Sequence, residues 1–157
     1  MSLHKPGLDP ADVSPRSTSG YPPEFAARVL PREKRALGDA LGLTHIGVNL
    51  TTLLPGKESS MRHYHSHEDE LVFVVEGEVV LRSDAGEQVL REGDCAGFPA
   101  GVSDGHQLVN RSDRPARYLE ISNRDPDDGA EYPDVDLRYA KDRAGRAVFT
   151  RKDGTAY

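Results

Sequence analysis

Between Thr44 and Ser122 the chain is a series of short strand-forming runs, cut at close intervals by residues that turn the backbone. Ile46, Val48, Leu50 and Thr52 alternate with His45, Gly47, Asn49 and Thr51, the period-two signature of a strand. Pro55-Gly56 ends that run with a turn. Strand-like runs follow at Met61–His65, Leu71–Glu76, Glu78–Arg82, Gln88–Arg91, Cys95–Pro99, His106–Asn110 and Ala116–Ser122. Gly77, Asp84-Ala85-Gly86, Glu92-Gly93-Asp94, Pro99-Ala100-Gly101 and Arg111-Ser112-Asp113 separate them, all of them turn chemistry. Many short strands with regular punctuation and almost no helix predict an all-β sandwich or barrel. A chain of 157 residues is long enough to bury one such core without staples.

The flanks read differently. Residues 1–23 are rich in Pro, Ser, Gly and Asp, without periodicity, and read as a mobile N-terminal tail laid in part across the domain surface. His4 in that tail reads as a solvated side chain. Glu24–Leu41 is ambiguous: Pro31 can open a short helix with Leu37 and Leu41 on one face, while Phe25–Leu30 can form an edge strand. The barrel domain is therefore expected over 24–124, with 125–157 as a C-terminal extension packing on it. That extension carries two apolar groups, Val135–Tyr139 and Ala147–Thr150, with Asp142-Arg143-Ala144-Gly145 between them as a hairpin turn.

Charge and composition exclude some functions. A net charge of −6 and the lack of any basic run argue against a nucleic-acid binder. The longest uninterrupted apolar stretch is Leu71–Val75, far short of a membrane helix. The first residues lack the apolar core of a secretory signal, and the single cysteine, Cys95, allows no internal disulfide. A cytoplasmic protein is expected, with Cys95 as a small buried hydrophobe. Leu71–Val75 is apolar on both faces, so another layer or a partner subunit must cover the second face; a homodimer is expected.

The chemistry concentrates in His63–Gly77, HYHSHEDELVFVVEG. On an extended backbone His63 and His65 leave the same face with Cα atoms about 7 Å apart. That gap suits two imidazoles converging on one metal ion with bonds of roughly 2.0–2.2 Å. Glu70 has the opposite parity, so the chain must turn or bulge within Ser66–Asp69 to bring it to the same ion. His67 shares the histidine face if the strand continues and is an alternative ligand. A glycine-bounded strand, a Pro/Gly turn and then His106 at the start of another strand would place His106 at a barrel mouth. His45 faces a cavity or water, and Glu68, Asp69 and Asp104 read as loop acids.

These two stretches resemble the two motifs of the cupin superfamily. The first family motif is a glycine, a short gap, His-x-His, three or four residues, Glu, six residues and Gly; here it reads Gly56, His63-Tyr64-His65, Glu70, Gly77. The second is Gly, five residues, Pro-x-Gly, two residues, His, three residues and Asn; here it reads Gly93, Pro99-Ala100-Gly101, His106, Asn110. Gly56 lies one residue further from its histidine than usual, and four residues rather than two separate Gly101 from His106. Both departures lengthen loops and leave the ligand types intact. The resemblance implies a double-stranded β-helix (cupin jelly roll) with N- and C-terminal extensions, holding one divalent cation by His63, His65, Glu70 and His106. The family spacing also favours the first histidine pair over His67.

Three neutral imidazoles and one carboxylate would leave a divalent ion with net charge near +1. Such a centre attracts anionic or chelating oxygen ligands and lowers the pKa of bound water. The donor set suits zinc, iron, nickel, manganese or copper. Two functions follow: an enzyme of dioxygenase, isomerase or lyase type acting on a small oxygenated or anionic molecule, or a non-catalytic metal-dependent binding or sensor protein.

Overall fold

The structure, a computed structural model, describes residues 6–157; His4 lies outside the described residues. Twelve strands and two short helices follow in order: α1 (Pro23–Val29), β1 (Arg32–Ala36), α2 (Leu37–Ala40), β2 (Ile46–Leu53), β3 (Tyr64–His65), β4 (Glu70–Glu76), β5 (Glu78–Ser83), β6 (Gly86–Arg91), β7 (Cys95–Phe98), β8 (Gln107–Val109), β9 (Ala116–Asn123), β10 (Gly129–Glu131), β11 (Arg138–Lys141) and β12 (Ala147–Thr150). One wall is a five-stranded antiparallel sheet in the order β1-β2-β9-β4-β7. The facing wall has two parts, β6-β5-β8 and β12-β11-β10-β3, joined where His63 bridges His106. Two facing antiparallel walls make the double-stranded β-helix.

Alternation along the strands sorts the side chains. In β4, Val72 and Val74 are buried while Leu71, Phe73 and Val75 stay 36–40% exposed. Val72 and Val74 meet Leu53, Val79, Leu81, Leu90, Leu108, Ala116 and Tyr118 in the barrel core. A second apolar cluster, Val29, Met61, Ala130, Tyr132 and Leu137, lies under the two terminal segments. Tyr21 packs edge-on to Tyr132 at 6.0 Å and against Phe149 at 5.3 Å. Arg16 bridges Lys34 through backbone hydrogen bonds in both directions, so residues 16–21 lie along the barrel.

Three expectations are corrected. The segment around Pro31 is strand β1, and the helix comes earlier, opened by Pro23 over the very residues that read as an edge strand. Proline at the first helical position needs no amide partner, and both Pro23 and Pro31 carried that signal. What decides between them is β1, which pairs with β2 from Arg32↔Leu53 to Ala36↔Asn49. Cys95 is exposed on the outer side of the five-stranded sheet, opposite Phe73, and is no core residue. The run from Asp125 onward contains a strand the apolar pattern did not show, β10, which pairs with β3 and carries β11 and β12 into the same wall. The Asp142–Gly145 turn does join a hairpin, closed by Asp142 N donating to Arg146 O at 3.0 Å.

Gly77, between β4 and β5, has φ +79°, and a Cβ there would lie 3.1 Å from Pro115 O and 3.2 Å from Ala116 Cα. Gly77→Ala therefore meets both a left-handed backbone and a neighbouring main chain that cannot swing away. We expect it to cost about 2 kcal/mol or more in urea unfolding; an unchanged midpoint would contradict this packing.

Candidate metal centre

The five-stranded sheet turns a polar row inward. Register places Lys34 beside Thr51, Thr51 beside Tyr118, and Glu70 beside Ser122. Glu120 lies one residue pair away, between Asn49 and Val72. Lys34, Thr51, Tyr118, Glu120 and Glu70 therefore share the interior with Val72 and Val74. From the facing wall come His63 and His65, on the segment entering and forming β3, and His106, immediately before β8. The chain crosses from one wall to the other at Ser66–Asp69, which resolves the parity conflict between His65 and Glu70.

These four side chains converge. His63 Nε2 lies 3.2 Å from His65 Nε2, and Glu70 Oε2 is 3.6 Å from both His65 Nε2 and His106 Nε2. His63, Glu70 and His106 form a group whose donor atoms all lie within 4.8 Å of one another. The Phe98 ring stacks on His106 with centroids 3.6 Å apart. His63 Nδ1–H donates to Met61 O at 2.9 Å, which aims its Nε2 into the group.

The electrostatics suit a cation. Burial, and then the neighbouring His106, push His63 down to a pKa of about 3, so it stays neutral. Burial would raise Glu70, but the surrounding imidazoles outweigh it and hold the carboxyl below its usual range. Both ring nitrogens of His106 are buried without a hydrogen-bond partner among the described residues. Donors each about 2.1 Å from one ion stand roughly 3.0–3.4 Å apart, close to the spacings observed. Orphaned imidazole nitrogens and an unprotonated carboxylate at that spacing fit a divalent transition metal.

Asp128 escaped the sequence reading. It precedes β10, and its side chain is only 1% exposed. One oxygen lies 2.7 Å from His65 Nδ1, and the other accepts the amides of His67 and Glu68 at 3.0 and 3.1 Å. That carboxylate fixes the His65 tautomer and leaves Nε2 facing the group. A Cβ on the adjacent Gly129 would meet Tyr139 O at 2.9 Å, so only glycine lets β11 close over this point. His67 turns outward, exposed, with Nδ1 on Ser66 Oγ at 2.8 Å, and takes no part; His45 is likewise exposed. Asp104 caps a loop, accepting the amide of Asp84 at 2.7 Å.

The cluster opens onto a cavity of about 360 Å³ also lined by Arg16, Tyr21, Arg32, Lys34, Tyr118, Glu120 and Tyr132. Glu68 reaches its wall and is neutralised by Lys141 at 2.7 Å. Glu120 Oε2 takes Lys34 Nζ at 2.7 Å and the Thr51 hydroxyl at 3.0 Å. The signal for Glu120 and Tyr118 lay in β9, where Tyr118, Glu120 and Ser122 alternate with Leu119 and Ile121. A polar inner row opposite an apolar outer row marks a lined cavity.

A barrel of two antiparallel walls with imidazoles and a carboxylate heading an internal cavity defines a class of small-molecule barrel proteins. The chain belongs to the cupin superfamily. The cupin domain family profile matches residues 49–122. A protein of Silicibacter pomeroyi, described as a sugar phosphate isomerase from a cupin superfamily, is 46% identical over 96% of both chains, with TM-score 0.91. A protein of Acidithiobacillus ferrooxidans, provisionally described as a sugar phosphate isomerase, is 30% identical over 80% of both chains, with TM-score 0.71. A polyketide cyclase of Streptomyces resistomycificus shares the fold at 18% identity, with TM-score 0.63 over 77% of this chain and 80% of its own. No curated protein matches the sequence. Among the described residues no helix is long and apolar enough to cross a membrane.

Asp128→Ala would leave an imidazole and two partly buried amides without their acceptor. We expect it to lose about 2–4 kcal/mol of stability in metal-free protein, measured by urea unfolding; a change within error would show that Asp128 is dispensable.

Proposed function

We propose that this chain is a metal-dependent cupin isomerase acting on a phosphorylated sugar, with the ion held by His63, His65, Glu70 and His106. The observation that carries the reading is that one cavity contains both that donor group and a second carboxylate, Glu120, with an oxygen left over. Oε1 of Glu120 has no hydrogen bond among the described residues, while Oε2 is engaged by Thr51 and Lys34. The 46% identity to a protein described as a sugar phosphate isomerase supports the reaction class.

Aldose–ketose interconversion moves one proton from carbon to adjacent carbon and another from the hydroxyl oxygen to the former carbonyl oxygen, leaving the overall composition unchanged. A divalent ion bound at the four donors would polarise the substrate carbonyl. Glu120 Oε1 takes the proton from the carbon beside that carbonyl and returns it to the former carbonyl carbon. Lys34, 2.7 Å from Oε2, holds Glu120 turned inward. Burial, and then the nearby Glu120 charge, raise Tyr118 well above its ordinary pKa, so its hydroxyl stays protonated. That hydroxyl has no partner among the described residues and serves as a donor to a substrate oxygen.

The test has two parts. Elemental analysis of protein purified without added metal is expected to find about one divalent ion per chain, most of it lost in His106→Ala. Incubation of phosphorylated aldoses and ketoses in deuterated water should place solvent deuterium on one of the two carbons that exchange the proton. Glu120→Gln should lower that rate about 100-fold or more with the metal retained. Ligand-induced stabilisation without exchange or turnover would favour the metal-dependent binding or sensor protein instead; unchanged occupancy in His106→Ala would remove the fourth ligand.

We also propose a homodimer through the outer face of the five-stranded sheet. Leu71 lies opposite Ile121 and Ile121 opposite Val48, while Phe73 lies opposite Leu119. Leu71, Phe73, Val75 and Ile46 are 36–41% exposed. Pairing through this apolar patch keeps most charged side chains of a chain of net charge −6 out of the contact. Light scattering after gel filtration should give a dimer for the wild type and a monomer for Phe73→Glu; a monomeric wild type would refute the proposal.

A further inference from the structure

The cations lining the cavity are not all paired with carboxylates. Lys34 is paired with Glu120, Lys141 with Glu68, and Asp128 lies against His65. Arg32 and Arg16 remain. Arg32 projects from β1 on the inner face, opposite Leu53, and lines the cavity. Its Nη1 donates to Ser59 O at 2.6 Å, while Nε is buried without a partner. No carboxylate among the described residues pairs with Arg32 or with Arg16, which reaches the same cavity from the segment bridged to Lys34. A half-buried guanidinium with a sealed, unused donor loses hydration and gains nothing in return unless an anion fills the space.

We propose that Arg32, with Arg16 beside it, is the seat for the phosphate group of the substrate, and that the N-terminal segment closes that seat by bringing Arg16 to β1. This rests on the isomerase reading for what the rest of the molecule is, and not for the anion itself. Arg32 on β1 shares a row with Leu53 and Ala116, and Glu70 on β4 shares one with Ser122, so three strands across and six residues along β9 separate them, and both line the one cavity. The cavity of about 360 Å³ between them has room for a small sugar carrying its phosphate at the end away from the carbonyl. A phosphate monoester carries about −1.5 to −2 charges at neutral pH, matching two guanidinium groups. The planar fork of Arg32 suits two phosphate oxygens, which a lysine in its place would not reproduce.

The test titrates inorganic phosphate into wild-type protein stripped of metal, by calorimetry at low ionic strength. Removing metal excludes phosphate bound to the ion, and no turnover is required. The wild type should bind phosphate, a phosphorylated sugar should compete, and its unphosphorylated counterpart should not. Arg32→Met should weaken binding by about tenfold or more, with Arg32→Lys recovering only part of it. Arg16→Ala is an exposed change that spares the fold and should weaken binding several-fold, so the proposal stays testable if Arg32→Met fails to fold. Failure of the folded wild type to bind phosphate, or equal binding by wild type and Arg16→Ala together with any folded Arg32 variant, would overturn the seat. Phosphate binding without isomerisation would sink the catalytic reading alone, and isomerisation without Arg32-dependent phosphate binding would sink the seat alone.

Discussion

A single pair of reciprocal hydrogen bonds holds the site together. His63 N donates to His106 O at 3.1 Å, and His106 N donates to His63 O at 2.8 Å. Each histidine is therefore the direct cross-strand neighbour of the other, which places their rings 4.8 Å apart before any ion is considered. The surroundings keep that register from slipping. Leu108 N donates to Ser59 Oγ at 2.9 Å, Gln107 Nε2 to Ser60 O at 2.8 Å, and Asn110 N to Lys57 O at 3.0 Å. Asn110, wholly buried, also donates from Nδ2 to Leu53 O and Arg114 O at 2.8 and 2.7 Å. Its place at the end of the second motif is thus structural: it ties β2, β8 and the turn before β9 into one piece.

The strands from Ile46 to Asn123 were legible because a barrel strand must alternate, and alternation is a local property of the sequence. His63, His65, Glu70 and His106 were legible for a related reason. Their spacing reflects strand geometry, and the resemblance to a known pattern supplied the long-range pairing that no local rule contains. Arg32, Lys34, Glu120 and Asp128 were not read as site residues. Each is an ordinary charged residue until the sheet order sets β1 beside β2 and β10 beside β3, and sheet order is non-local. The reversed helix and strand around Pro23 and Pro31 failed differently. Pro31 offered a helix start, and the residues after it were drawn into a strand by tertiary pairing of Arg32–Ala36 with β2.

The two apolar faces expected of β4 hold for Leu71–Val75 and do not extend to the rest of the sheet. Its outer face is apolar around Leu71, Phe73, Leu119 and Ile121 and carries charge at Glu33, Arg35 and Arg117, while its inner face is lined with Lys34, Glu120 and Glu70. Such a sheet is stable only if the polar inner row is internally satisfied. It largely is: Thr51, Lys34 and Glu120 form one connected group, and Val72, Val74 and Leu53 fill the space beneath.

What the inner row leaves unsatisfied is therefore informative. The described residues leave buried side-chain atoms unpartnered at His106, Tyr118 and Arg32, all three lining the same cavity. Unpaired buried polar groups cost stability wherever they occur, and in a random distribution they would not share one chamber. Their chemistry also differs in a consistent way: an imidazole lone pair calls for a cation, a protonated phenol for an oxygen, and a guanidinium for an anion. A ligand that answers all three has an electron-rich oxygen end, hydroxyl groups in the middle and a negative charge at the far end. Held apart by the width of the sheet, the three demands select for length as well as charge, which a site built only around an ion would not do.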